Sequence, residues 1–228
     1  MAIELVRNGS RGLYWLEPMV EVEVAVGRIA YGPVSPSDVP SLFDAGFIRG
    51  GAHALRIGRP EDHPYLKKQQ RLAFARVGVV DPRSLDDYLA TGGYRGLRAA
   101  LGMTGEAVVE AVTRSGLRGR GGAAFPTGIK WRTVLAQSAK QKYIACNADE
   151  GDSGTFSDRM LMEGDPFLLI EGMTIAGLAV GASVGYIYLR SEYPHAEAVL
   201  RDALKAALAR GYLGDNVQGS GRAFRIEL

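Results

Sequence analysis

"KYIACN" (142–147) and "VGYIYLR" (184–190) stand on either side of "DPFLLIEGMTIAGLAVGA" (165–182). Both flanking runs are short and apolar, and the first stops in polar residues, as a buried parallel strand does. The middle run has the length of a helix, with Pro166 in its first turn, where a missing N–H costs nothing. Strand, helix, strand is therefore expected. Downstream, "PHAEAVLRDALKAALARG" (194–211) is amphipathic at helical spacing and starts at Pro194, and "RAFRIEL" (222–228) begins a further strand. Strands alternating with helices of this length imply an α/β fold, a parallel sheet flanked by helices.

Upstream, "SLDDYLATGGYRGLRAALG" (84–102) and "TGEAVVEAVTRSGLRG" (104–119) read as short helices ending at glycines, and "IKWRTVLAQ" (129–137) as another. The first segment differs. "MVEVEVAVGRIAYGPV" (19–34) alternates as two strands of a hairpin with "VGR" between them, and "SPSDVPSLFDAG" (35–46) is a short helix with Ser35 or Ser37 as its cap and Gly46 as its stop. Residues 47–80 are irregular. The domain plan is thus an N-terminal segment over 1–50, a linker over 51–80 and an α/β domain over 81–228.

Hydrophobic residues at 46% and charged residues at 23% are ordinary for a folded chain, whereas 30 glycines foretell loops with unusual backbone angles. A net charge of +2 without any basic run gives no nucleic-acid surface. The most apolar stretch, 166–189, contains Glu171 and several glycines, so no membrane span is expected. The first residues lack a signal-peptide layout, and a cytoplasmic protein is the expectation. With Cys146 as the single cysteine, neither an internal disulfide nor a cysteine-ligated cluster can be built from this chain alone. His53, His63 and His195 are scattered, and no nucleophile, base and orienting acid occur together.

Two loops carry the chemistry. In "GLRGRGGAAFPTGIKW" (116–131), Gly119, Gly121 and Gly122 strip β-carbons from a backbone flanked by Arg120 and Lys130. Bare N–H donors leading into a helix suit a phosphate or a flat electron-rich ring, with Lys130 as a point charge and Phe125 as a stacking surface. Glycine clusters also make tight turns with no ligand, and the string matches neither the P-loop nor the G-x-G-x-x-G fingerprint. The second loop, "CNADEGDSGTFSDR" (146–159), leaves the carboxyl end of the first strand, where ligands settle in open α/β sheets. Asn147 can read the edge of a ring; Asp149, Glu150 and Asp152 can accept from sugar-alcohol or ribose hydroxyls. The same residues could form a solvated loop. Their spacing is not that of a calcium loop, and Cys146 reads as a core thiol.

Taken together, "GLRGRGGAAFPTGIKW", "CNADEGDSGTFSDRMLMEGDPFLLIEGM" and "GYIYLRSEYP" resemble the NADH-binding flavoprotein subunit of respiratory complex I, in the form closest to the beta subunit of NAD-dependent formate dehydrogenases and the diaphorase subunit of NAD-reducing hydrogenases. The resemblance covers roughly 81–228. It implies FMN and NAD as cofactors, with Gly119, Arg120, Gly121, Gly122, Lys130, Asn147, Asp149 and Glu150 in the flavin shell. It further implies Phe125 against NADH, and Glu150 and Asp152 near the dinucleotide, with Glu150 the side chain nearest the chemistry. Ala124 stands where the family commonly has glycine, Asp152 where complex I members carry a second glutamate, and Thr133 where they place another aromatic. "NGSRGLYWLEPMVEV" (8–22) resembles part of a thioredoxin-like ferredoxin domain, with Ser10 and Tyr14 at two cysteine positions. Neither side chain replaces a thiolate, so that cluster is expected to be absent.

What the resemblance implies is hydride transfer between NAD(H) and FMN, followed by single-electron transfer to iron–sulfur centres on later segments or on partner subunits of a multi-subunit dehydrogenase. The family's "CGEETAL" segment and cysteine cluster do not occur in this sequence, which reads as a fragment of a longer polypeptide. The competing expectation is a truncated, flavin-free structural or assembly subunit. A general small-molecule or quinone binder is a third, opposed by the "RGRGGAAFPTG" string.

Overall fold

Alternating valines give the first hairpin its register. β1 (Val20–Val24) pairs antiparallel with β2 (Gly27–Tyr31), Val20 opposite Tyr31 and Val24 opposite Gly27. The turn is therefore Ala25–Val26, and Gly27 and Arg28 of the expected "VGR" turn lie inside β2. Val20, Val22 and Val24 pack beneath Ile29, Tyr31 and Leu42, while Glu21 receives a two-pronged contact from the buried Arg11 at 2.6 and 2.8 Å. Helix α1 (Val39–Asp44) follows a turn in which Ser35 and Asp38 cap each other, and the chain leaves it through Gly46 at φ 67°. β3 (Arg56–Gly58) then joins β2 as the third antiparallel strand, and α2 (Pro64–Lys67) comes next.

These elements form one compact unit, Ser10–Ala75, and the rest of the chain forms another, Met1–Gly9 with Arg76–Leu228. The computed structural model describes residues 3–152 and 154–228. The stretch expected as a linker, 51–80, thus supplies β3 and α2 to the first unit. Ser10 donates to Glu17 at 2.6 Å and accepts from Gly12 N–H at 2.9 Å.

The second unit begins with three short helices, α3 (Leu85–Ala90), α4 (Arg95–Leu101) and α5 (Gly105–Arg114), followed by α6 (Thr127–Leu135). Ser84 and Thr104 cap α3 and α5 by accepting backbone N–H groups. Then come β4 (Tyr143–Ala148), α7 (Ser157–Gly164), α8 (Pro166–Val180), β5 (Val184–Leu189), α9 (Pro194–Ala209) and β6 (Arg225–Glu227). β4, β5 and β6 form a parallel sheet in that order, Tyr143 opposite Val184 and Ala148 opposite Leu189. The α/β fold with its parallel sheet is as the sequence implies.

Helix α8 is the centre of the unit. Phe167, Ile170, Met173, Ala176 and Val180 are all buried, and α4, α5, α6, α7 and α9 pack around it. Burying each large side chain contributes about 1.5–3 kcal/mol, which outweighs the cost of burying one carboxylate on the same helix, Glu171. That carboxylate is satisfied by three donors.

Two expectations need correcting. The strands were expected to be buried, but only one face is: Ile144, Cys146 and Ile187 pack on the core, whereas Tyr143, Tyr186 and Tyr188 are 55%, 48% and 73% exposed. The strand order advances in one direction and both crossover helices, α8 and α9, pack against each other, so they cover a single face. Of the stretch read as a loop at the end of the strand, 146–159, the first three residues belong to β4 and the last three open α7.

Candidate functional site

The glycine loop is a noose. Gly119 N–H donates to Phe125 O at 2.9 Å and Thr127 N–H to Leu117 O at 2.9 Å, so residues 120–124 project from a closed neck. Among the described residues, the N–H groups of Gly121 and Gly122 meet no acceptor. A β-carbon at either position would touch nothing within 4 Å, and Gly122 sits at φ +94°. Ala124 also lies in the left-handed region, at φ 49°. The noose is rimmed by exposed Arg118, Arg120 and Phe125, with the Arg118 guanidinium donating to Ala124 O at 3.3 Å.

Its direction is fixed by the helix it enters. Gly128, in the first turn of α6, lies against α5 so closely that a β-carbon would come within 2.2 Å of Thr113 Oγ1 and 2.7 Å of its Cα. Lys142 clamps the far end, donating to the last carbonyl of α6, Leu135 O, and to that of α8, Val180 O, at 3.0 Å each. The noose therefore sits at the opposite end of α6 from the start of β4. Lys130 is exposed one turn into α6, without an ion pair among the described residues.

The second loop leaves β4 at Ala148. Asn147 Oδ1 accepts from Asp149 N–H at 3.1 Å, and Asp152 accepts from Gly154 N–H at 3.4 Å and from the Thr155 hydroxyl at 3.3 Å. Ser153 lies outside the described residues. Glu150, at φ 44°, places its carboxylate on the first turn of α7, accepting from Asp158 N–H at 2.8 Å and Arg159 N–H at 2.9 Å. Phe156, at the N-cap position, offers no side-chain cap, so Glu150 fills that role from outside the helix. The Tyr193 hydroxyl donates to Glu150 at 3.1 Å, and Arg190 donates to the Glu150 carbonyl at 2.8 Å. The Asp149 carboxylate has no hydrogen bond among the described residues. Burial, with Asp158 nearby, pushes the Cys146 thiol up to about 11, which fits a packed thiol and not a thiolate.

The structure thus keeps Asn147, Asp149, Glu150 and Asp152 together in one loop, and Gly119, Arg120, Gly121, Gly122 and Phe125 together in the noose, with Lys130 just beyond it. Among the described residues no hydrogen bond or ion pair joins the two loops. No group of three or more metal-ligating side chains occurs among those residues, and no helix there is long and apolar enough to cross a membrane. A cavity of about 670 Å³ lies elsewhere, between Leu204 and Leu208 of α9 and Arg225 and Glu227 of β6. Sequence reasoning missed the capping role of Glu150 and its partners Arg190 and Tyr193. The only trace was that "RSEYP" follows a strand directly, which brings both residues to the carboxyl end of the sheet.

The noose fits a flavin phosphate or ring on two counts: two N–H donors without acceptors, and open space where β-carbons would stand. The chain is 54% identical over 162 residues to the NADP-reducing hydrogenase subunit HndC of Solidesulfovibrio fructosivorans, covering 71% of this chain and 33% of that protein. It is 51% identical over 164 residues to an NADH-quinone oxidoreductase subunit of Aquifex aeolicus, covering 72% and 38%. It is 42% identical over 172 residues to the NADH-quinone oxidoreductase subunit of the same kind from Escherichia coli, covering 75% and 37%. The chain spans about a third of the length of these curated relatives. A crystal structure of an NAD+-reducing [NiFe]-hydrogenase in the air-oxidized state shares the fold, with a TM-score of 0.50 at 24% identity over 87% of this chain and 31% of that one. Residues 112–227, more than half of the sequence and including both loops, match the family described as the Nuo51 FMN-binding domain, and the chain belongs to that family.

Proposed function

We propose that this chain holds FMN and forms the flavin-carrying part of an NAD(P)H-dependent oxidoreductase assembled from several subunits. The observation that carries this is the noose, whose bare N–H groups at Gly121 and Gly122 are rimmed by Arg120 and Phe125, with Lys130 one turn into α6. Gly119 to Gly122 would let a flat ring approach the backbone, and Lys130 would face the flavin or its phosphate. Asn147 would read a ring edge, Asp149 and Asp152 would accept hydroxyls, and Phe125 would lie against a nicotinamide. Bound FMN supplies hydride acceptance from a nicotinamide and onward delivery of single electrons. The protein's part is orientation, because the cofactor carries the chemistry.

The onward electrons would pass to iron–sulfur centres held by other segments or partner subunits. Our reading places the assembly in the cytoplasm and makes this chain part of the beta subunit of a formate dehydrogenase, supported by the form of the three strings that carry the resemblance. Titrating the purified chain with FMN, while following flavin fluorescence and visible absorption, tests the core of this proposal. Quenching with saturation at one FMN per chain is expected. Lys130→Ala should weaken binding about ten- to a hundredfold, as loss of a charge-assisted contact of ~1.5–3 kcal/mol does. A folded wild-type chain that takes up no FMN would overturn it and leave a flavin-free structural subunit.

A further inference from the structure

Glu150 is the one acidic residue of the ligand loop whose side chain and backbone are both held by distant parts of the chain. Its carboxylate spans the N–H groups of Asp158 and Arg159, closing α7, and takes the Tyr193 hydroxyl at 3.1 Å. Its carbonyl takes Arg190 at 2.8 Å. Tyr193 is 8% exposed, and the guanidinium groups of Arg190 and Arg159 lie 5.6 and 5.7 Å from its ring centre. Arg190 is itself tied back by its ion pair to Glu192 at 3.2 Å and by its backbone N–H to Ala148 O at 3.3 Å, the last carbonyl of β4. Left-handed backbone is unfavourable for glutamate, so φ 44° persists only where surrounding contacts impose it.

We propose that Arg190 and Tyr193 are positioning residues for the flavin site: they hold Glu150 at the end of α7, and through it fix the course of the loop that presents Asp149 and Asp152 beside Asn147 of β4. The inference rests on the FMN reading above and deepens it. Glu150 then serves as the pivot joining β4, α7 and the segment after β5, and its carboxylate is engaged by protein donors. The ligand loop and α7 move as one piece. The same carboxylate that helps to hold α7 sets where the neighbouring Asp149 stands; that side chain has no hydrogen bond among the described residues and feels the charge of Arg190.

The test uses the full chain and Tyr193→Phe, which keeps the ring and removes the hydroxyl, alongside Arg190→Ala. Amide exchange is followed across 147–162 and across α9, and FMN binding by fluorescence titration. The expected result is exchange about tenfold faster at 150–159 in Tyr193→Phe, with α9 unchanged, and a five- to tenfold rise in the FMN dissociation constant. Arg190→Ala should show both effects, and Arg190→Lys, which keeps a donor, should recover part of the affinity. Unchanged exchange at 158 and 159 would overturn the clamp. Faster exchange with unaltered FMN affinity would reduce it to a structural cap and overturn the positioning role. A wild-type chain that binds no FMN would overturn the flavin reading and the positioning role with it, an outcome distinct from the other two.

Discussion

The carboxylate of Glu171, in the middle of buried helix α8, accepts the N–H of Leu97 at 2.9 Å in the first turn of α4. It also accepts Tyr94 N–H at 2.7 Å and the hydroxyl of Tyr88, so one buried side chain closes the start of a helix that has no cap of its own. Burial and the neighbouring carboxylate push the Tyr88 hydroxyl well above its ordinary range, keeping it a donor. Glu171→Leu keeps an apolar volume but strands these donors, at about 1–3 kcal/mol each. The expected outcome in urea unfolding is a loss of at least about 3 kcal/mol, with Glu171→Gln losing less because one acceptor remains.

Asp165 gives a pH signature. It is 1% exposed, pairs with Arg76 at 2.8 Å, and has its other oxygen without a partner among the described residues. Burial outweighs the attraction of Arg76 and raises the carboxyl from 3.8 to about 6. Since the folded value lies above the unfolded one, the contribution to stability is fullest below about pH 4 and is lost as pH rises towards 6. In Asp165→Asn this slope should vanish. The stability of the wild type relative to the variant should fall by roughly 2–2.5 kcal/mol between pH 4 and pH 7. A difference that stays flat across that range would show Asp165 to be ionised in the folded protein throughout.

Much of this fold was legible because its elements announce themselves locally. Pro166 and Pro194 mark helix starts, Gly46 and Gly102 mark ends, and the apolar runs of β4 and β5 are too short for helices. Helix α7 was not legible. Its cap is Glu150, six residues before Phe156, so the N-cap position itself carries no start signal. The bare face of the sheet was also hidden, since alternating exposure in "YIYL" is masked by tyrosines that look apolar in a sequence.

For the site, residue types were legible and their partners were not. The bare backbone of Gly121 and Gly122 could be read from two adjacent glycines, but the noose that isolates them depends on a bond between Gly119 and Phe125. Asp149 and Glu150 are adjacent and chemically alike. Only tertiary contacts separate them, because Tyr193 and Arg190 come from 40 residues downstream to hydrogen-bond Glu150 and not Asp149.

Ala124 is strained where it stands. At φ 49° its β-carbon crowds the backbone, a penalty of about 1–2 kcal/mol for an L-residue. Ala124→Gly should relieve that strain, offset in part by the greater freedom of glycine in the unfolded chain. The expected outcome is an unchanged or slightly raised melting temperature, with FMN affinity within about twofold of wild type. A drop of several degrees would show that the alanine methyl makes a contact that matters.

Gly122 should not tolerate a branched side chain, and the reason separates function from stability. Its φ of +94° is poor for any L-residue, so every substitution carries a backbone penalty of about 1–3 kcal/mol. Beyond that penalty the folded chain offers no clash, since a β-carbon there meets nothing within 4 Å. A ligand lying on the noose would change this, because the valine methyl groups would occupy the space it needs. Gly122→Val should therefore fold, melt a few degrees below wild type, and take up no FMN. Gly122→Ala should share most of the stability loss and retain some FMN. Bound FMN per folded chain, measured beside the melting temperature, decides between a cradle and a turn. Full FMN occupancy in a destabilised Gly122→Val chain would show that the loop is only a turn and that the flavin sits elsewhere.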